Sequence, residues 1–199
     1  MGEERDERPE RTITRLTDAR TLRAYAHPVR MALIGLLRSE GPLTATKAAE
    51  LLGESSGTCS FHLRQLAKYG LVEQAGGGTG REKPWQATAQ RTRYPQSTDD
   101  PEVAAAAGHV NAVFAQQYFA RLMRWLDRMP QEPVAWREAA IFGDRLLYVT
   151  PAELAELGSR LEAVLDQYLE RLVRPELRPE GARLVTYFQS AFPDEPRMP

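Results

Sequence analysis

Between Pro28 and Tyr69 the apolar positions fall into three helical periods separated by short polar breaks. Val29, Ala32, Leu33, Leu36 and Leu37 recur at i, i+3, i+4, i+7 and i+8, which predicts a core helix over 28–39. Pro28 stands at its favoured first position, and His27-Pro28 ends a shorter helix over 17–26, capped by Thr17 or Asp18. Thr44 can cap the next helix, whose apolar face is Ala48, Leu51 and Leu52. Gly53 supplies the left-handed residue that ends it, with Glu54 completing the turn. Ser55 then caps a third helix that runs to Gly70. Two helices joined by so short a turn have the size of a helix-turn-helix, in which the second helix lies in the DNA major groove.

That third helix separates by face. At about 100° per residue, Cys59, His62, Leu63 and Leu66 share one side. Gly57, Ser60, Phe61, Arg64 and Lys68 share the other, beginning with small residues and continuing into positive charge. The apolar side suits a three-helix core. The polar side suits a groove-reading surface, and it also describes an ordinary solvated basic face. The next segment favours the first reading. LVEQA (71–75) and REKPWQAT (81–88) read as strands around GGGTG (76–80), a glycine-rich turn that places Arg81 and Lys83 near the tip. A hairpin directly after a helix-turn-helix is a wing, and cations at its tip can reach phosphates or the minor groove.

Beyond residue 90 the pattern changes. RTRYPQSTDDPE (91–102) reads as a linker, after which Asp100 caps a long helix from Pro101 to about Met129. Its apolar residues, among them Val110, Phe114, Phe119, Met123 and Trp125, suit a dimer interface or packing within one chain. Residues 136–150 are apolar and β-favouring around Gly143-Asp144. Thr150, Pro151 and Glu153 start a helix with a capping box, running through Leu172. Residues 182–193 read as a last strand. The expected fold class is mainly α with small β: a winged helix-turn-helix, a long helix and a small α+β C-terminal module.

Charge divides the chain in the same places. Residues 1–10 carry two basic and five acidic side chains, residues 11–95 thirteen basic and six acidic, and residues 96–199 eleven basic and sixteen acidic. A basic module joined to an acidic one suits a chain that binds a polyanion through one half only. A single cysteine excludes an intrachain disulfide and suits a reducing cytoplasm. No apolar run reaches the roughly 18 residues of a membrane span, and the charged N-terminus has no signal-peptide core.

The inventory for chemistry is poor. There is no G-x-S-x-G and no phosphate-binding G-x-x-x-x-G-K-[ST] loop. Cys59 and His62 share a helical face, but two ligands on a core side do not make a tight metal site. We therefore expect no catalytic residue, no metal site and no cofactor. An effector pocket remains open: Trp125, Trp136, Phe142, Tyr148, Tyr168, Tyr187 and Phe188 can line an apolar cavity or form a dimer core.

AHPVRMALIGLL, GPLTATKAAELLG and SSGTCSFHLRQLAKYGLVE, in that order and spacing, resemble the ArsR-type winged helix-turn-helix regulators over about Leu16 to Thr88. The resemblance implies a dimeric promoter-binding repressor or regulator with Ser55–Tyr69 as recognition helix. Founding members sense metals through thiolates in the helix matching Thr44–Leu52, which here holds no cysteine, so metal sensing does not carry over.

The expected organisation is a disordered tail (1–11), a DNA-binding domain (12–90), a linker (91–99), a dimerisation and effector domain (100–193) and a tail (194–199). Ser56, Gly57, Thr58, Ser60, Phe61, Arg64 and Lys68 are the expected groove residues, with Arg81 and Lys83 on the wing. The expected partners are double-stranded DNA, a second copy of the chain and a small apolar effector, with no membrane. A winged-helix module for protein contact is the alternative, and the exposed-face Phe61 favours it.

Overall fold

The computed structural model describes residues 13–76 and 83–194. In chain order the elements are β1 (Ile13–Arg15), α1 (Ala19–Tyr25), α2 (Pro28–Glu40), α3 (Ala45–Leu52), α4 (Ser56–Lys68), β2 (Val72–Gln74), β3 (Trp85–Ala87) and β4 (Arg91–Arg93). Then come α5 (Pro101–Arg128), α6 (Val134–Ala139) and α7 (Pro151–Val173). The chain is mainly α with small β.

Local chemistry sets the helix starts. Asp18 Oδ1 accepts from Arg20 N at 3.0 Å and Thr21 N at 2.9 Å, capping α1. Thr44 and Ser55 hydroxyls accept from Lys47 N and Thr58 N, capping α3 and α4. Gly53 holds φ +69° at the end of α3, the left-handed geometry that lets the chain reverse into α4. The wing pairs β2 with β3 in antiparallel register, Val72 against Ala87, and Leu43 adds reciprocal backbone bonds to Trp85 at 2.9 and 2.7 Å.

The core gathers Leu22, Leu33, Ile34, Leu63, Leu66 and Val72, all essentially without solvent contact. Burying each such side chain contributes about 1.5–3 kcal/mol. α2 lies at the centre, packed by α1, α3, α4, α5, α7 and β3. This explains why Met31 and Ile34 are buried beside the expected Leu33 and Leu37, while Val29 and Leu36 are only half-buried. In α3 the expected face holds at Ala48, which is buried, and at Leu52, which packs against the core, and is corrected at Leu51, which is 50% exposed while Ala49 is buried against α4.

The linker expected at 91–99 is also corrected at its start. Arg91–Arg93 form β4, parallel to β1 with Ile13 against Arg91, and Leu16 N continues the ladder to Arg93 O at 2.8 Å. α5 then joins the same core through Val103, Ala106, Ala107, Val110 and Val113. In its distal half large apolar side chains, Phe119 and Met123, are exposed. The Gln117 side-chain amide donates to Pro28 O and ties α5 to the start of α2.

In the C-terminal half α7 has the capping box expected at Thr150 and Glu153. It lies beside α2 and reaches β4 through Arg91, 3.3 Å from both Glu162 and Asp166, and Arg93, 3.0 Å from Glu162. The two strands expected at 136–150 and 182–193 are not formed. Val134–Ala139 is a short helix, and residues 140–150 and 182–194 run without regular structure and without a strand partner among the described residues.

Candidate nucleic-acid interface

α4 is held from one side only. Cys59, His62, Leu63 and Leu66 are buried against α2 and α3, as the periodicity predicts. The opposite side exposes Ser56, Gly57, Phe61, Arg64 and Lys68, with Thr58 and Ser60 half-buried at its margin. The Thr58 and Ser55 hydroxyls share a hydrogen bond of 2.8 Å, so Thr58 supports the cap as well as lying beside the exposed face. Lys68 Nζ lies 6.0 Å from the centre of the Tyr69 ring. Among the described residues no ion pair engages Arg64.

Gly57 is the informative position. A methyl group built there meets only Ser55 Oγ, at 3.7 Å, an ordinary contact. Its φ is not left-handed. Nothing within the chain requires glycine, although glycine weakens a helix by about 0.5–1 kcal/mol relative to alanine. A glycine that the fold does not need, here on the exposed face, leaves room for another molecule to approach the backbone closely.

The interface between α2 and α4 contains a pair of histidines. The rings of His27 and His62 lie 4.5 Å apart, tilted by 39°, and Phe61 meets His62 edge-on at 5.2 Å. The Nδ1 atoms of both histidines and Nε of Arg30 are buried without a hydrogen-bond partner. Burial and the nearby Arg30 guanidinium hold both imidazoles below their ordinary range, opposed by Glu54. The pair is therefore neutral near pH 7 and packs as an apolar contact behind the exposed face. Spacing in the sequence gives no sign of it, because it depends on how α2 crosses α4.

On the wing, Lys83 is exposed just before β3. Arg81 and residues 77–80 of the expected glycine-rich turn lie outside the described residues. Gln86 donates to Glu73 at 2.8 Å across the two strands.

Residues 25–75 match a family model described as a helix-turn-helix domain. The match spans about a quarter of the chain, taking in α2, the two helices of the motif and β2. No curated protein matches the chain. With the wing that follows, the match supports a winged helix-turn-helix regulator and makes DNA the indicated partner.

The remaining sites are sparse. Two surface cavities of about 270 and 330 Å³ are lined by polar and small residues, among them Arg20, Arg23 and Glu102 in one, Arg38, Gln90 and Arg178 in the other. Neither takes in the aromatic residues expected to line an effector pocket. Those lie apart: Phe188 stacks on Tyr118 at 5.3 Å, Trp136 lies beneath Arg183, and Phe142 and Tyr148 face solvent. Among the described residues no three His, Cys, Asp or Glu side chains gather as metal ligands, and no helix is long and apolar enough to cross a membrane.

Proposed function

We propose that this chain is a sequence-specific DNA-binding transcription regulator of ArsR-like type, acting as a dimer and a repressor in the cytoplasm. α4 enters the major groove with Ser56, Gly57, Thr58, Ser60 and Phe61 toward the bases and Arg64 and Lys68 toward bases and phosphates. Arg81 and Lys83 hold the backbone beside the wing. Residues 12–90 form the DNA-binding unit, and residues 100–193 dimerise and receive a small apolar effector. No catalytic step is assigned to any residue.

The observation that carries this reading is the exposed face of α4: small residues at its start, a glycine the fold does not need, then Arg64 and Lys68. The test is fluorescence anisotropy of a labelled duplex taken from upstream of the coding region, at two salt concentrations, with random duplex as competitor. Tight, salt-dependent binding that survives competition supports the reading, because released counterions make DNA affinity salt-dependent. Binding lost equally to random DNA overturns sequence specificity.

Phe61 and Leu51, each about half exposed on neighbouring helices, favour a second reading, a protein-contact module. No binding to any duplex, together with binding to an acidic protein, would establish it.

A further inference from the structure

The chain carries two runs of equal length without regular structure and largely open to solvent: residues 141–149, IFGDRLLYV, and residues 184–192, LVTYFQSAF. Among the described residues neither run makes a backbone–backbone hydrogen bond. Their side chains are apolar and strongly exposed, Ile141 at 90%, Tyr148 at 105% and Phe192 at 77%. Runs rich in β-branched and aromatic residues that lack a backbone–backbone partner have the composition of strands still to be paired.

We propose that these two runs pair with each other between two copies of the chain, residues 141–149 of one protomer lying antiparallel to residues 184–192 of its partner. This deepens the dimeric part of the proposed function and rests on it for the existence of a dimer.

Three observations choose a second copy. The first is pattern. With Val149 opposite Leu184 and Ile141 opposite Phe192, Asp144 falls opposite Gln189 and Gly143 opposite Ser190, Arg145 faces Phe188, and Leu146 faces Tyr187. Apolar residues flank these pairs, as cross-strand pairing requires. The second is placement. Residues 183–188 are held at both ends: Arg183 binds Glu132, just past α5, at 2.8 Å, and Phe188 meets Phe114 and Tyr118 of α5. Residues 141–149 stand off the body of the same chain. Among the described residues no backbone hydrogen bond joins the two runs within one protomer. The third is area. Eleven large apolar side chains in the two runs are exposed, and at about 150–250 Å² for each aromatic their exposed surface is on the order of 1,000 Å² per protomer. A standard interface needs about 800 Å² per partner. A two-fold axis forms the contact twice, so both runs of both chains are satisfied and no edge pairing is left to propagate.

The test is disulfide crosslinking. Leu146→Cys and Tyr187→Cys are made in separate, differently tagged chains and co-expressed, with Leu147→Cys and Thr186→Cys as a second pair. Opposite positions alternate between wide and close spacing, so one of the two pairs has the geometry a disulfide needs. The buried native Cys59 leaves the parent chain as the control. The expected result is a linked heterodimer of two 22.4 kDa chains, about tenfold or more above the linkage of either variant alone.

A chain carrying both cysteines of a pair that instead closes on itself as a linked monomer overturns the proposal, as does failure of both pairs to link. Circular dichroism of each variant shows that it has folded. Duplex binding is measured on the same samples. Absent linkage with intact specific binding overturns this interface and leaves the regulator reading in place, whereas linkage without DNA binding supports the interface and removes that reading.

Discussion

Replacing Gly57 by alanine separates the demands of the fold from those of the partner. Gly57 is the second residue of α4, and the added methyl meets only Ser55 Oγ, at 3.7 Å. Alanine in a helix interior is favoured over glycine by about 0.8–1.0 kcal/mol. Position in the first turn reduces that gain, so Gly57→Ala is expected to stabilise the protein by about 0.5 kcal/mol. The same methyl projects from the exposed face. If a groove wall lies against the Gly57 backbone, the helix must back off, and contacts made by its neighbours lengthen. Loss of one well-aligned base contact costs about 1–3 kcal/mol, or roughly five- to 150-fold in affinity. Urea denaturation and duplex anisotropy on one preparation read both quantities. A more stable protein that binds DNA less tightly is the expected outcome. Unchanged affinity would show that the start of α4 does not approach DNA, and reduced stability would show that the chain itself needs this glycine.

Arg64→Ala is expected to lower affinity for the specific duplex by about 1–3 kcal/mol and relax base preference, while Lys83→Ala weakens all duplexes alike and flattens the salt dependence; anisotropy on specific and random duplexes checks both, and equal losses for the two variants refute the assignment. Stability is expected to fall as pH drops below the ordinary imidazole value of 6.5, because His27 and His62 are held below it in the folded chain. Above that value both states are neutral and stability is flat; below it the unfolded chain takes up protons that the folded chain refuses. Urea midpoints at pH 7.5, 6.5 and 5.5 test this, and a His62→Phe variant that keeps the full pH dependence contradicts it. Asp18→Ala removes the cap of α1 and is expected to cost about 1 kcal/mol, read by thermal denaturation.

The helix-turn-helix was legible because each of its parts carries a local signal. Thr44, Gly53 and Ser55 mark boundaries through their own hydrogen bonds and backbone geometry. The buried side of α4 follows from one helical period. What was not legible depends on contacts distant in sequence. RTR at 91–93 has the composition of a linker, yet it is strand β4 because the backbone of Ile13–Arg15 lies beside it. Leu51 follows the apolar period of α3 and is exposed, because Ala48 and Ala49 make the contact with α4. The runs at 141–149 and 184–192 have strand composition, but composition does not supply a neighbouring strand. At the candidate interface, the seven α4 residues lie together along one side or its margin, whereas the His27–His62 contact behind them required the crossing of two helices.

The division by charge has a different structural meaning from the one composition suggests. A basic segment joined to an acidic one reads as one half for DNA and one half kept off it. In the fold they touch: Arg91 and Arg93 of the basic segment pair with Glu162 and Asp166 of α7. These partly exposed pairs are each worth about 0–1 kcal/mol, so they do not hold the molecule together. They do set where α7 lies against the winged helix. α5 makes a second connection, since one 28-residue helix, about 42 Å long, packs into the winged-helix core through Val103 near its start, meets Phe188 through Phe114 and Tyr118 at its middle, and ends just before Glu132, which Arg183 contacts. Its first turns pack on α1, which in turn touches α4. The distal end of α5 is thereby connected to α4 through two packed helices. A change at that end shifts DNA affinity only by the difference in free energy it makes between two placements of α5, so a regulator of this form requires that second placement to exist.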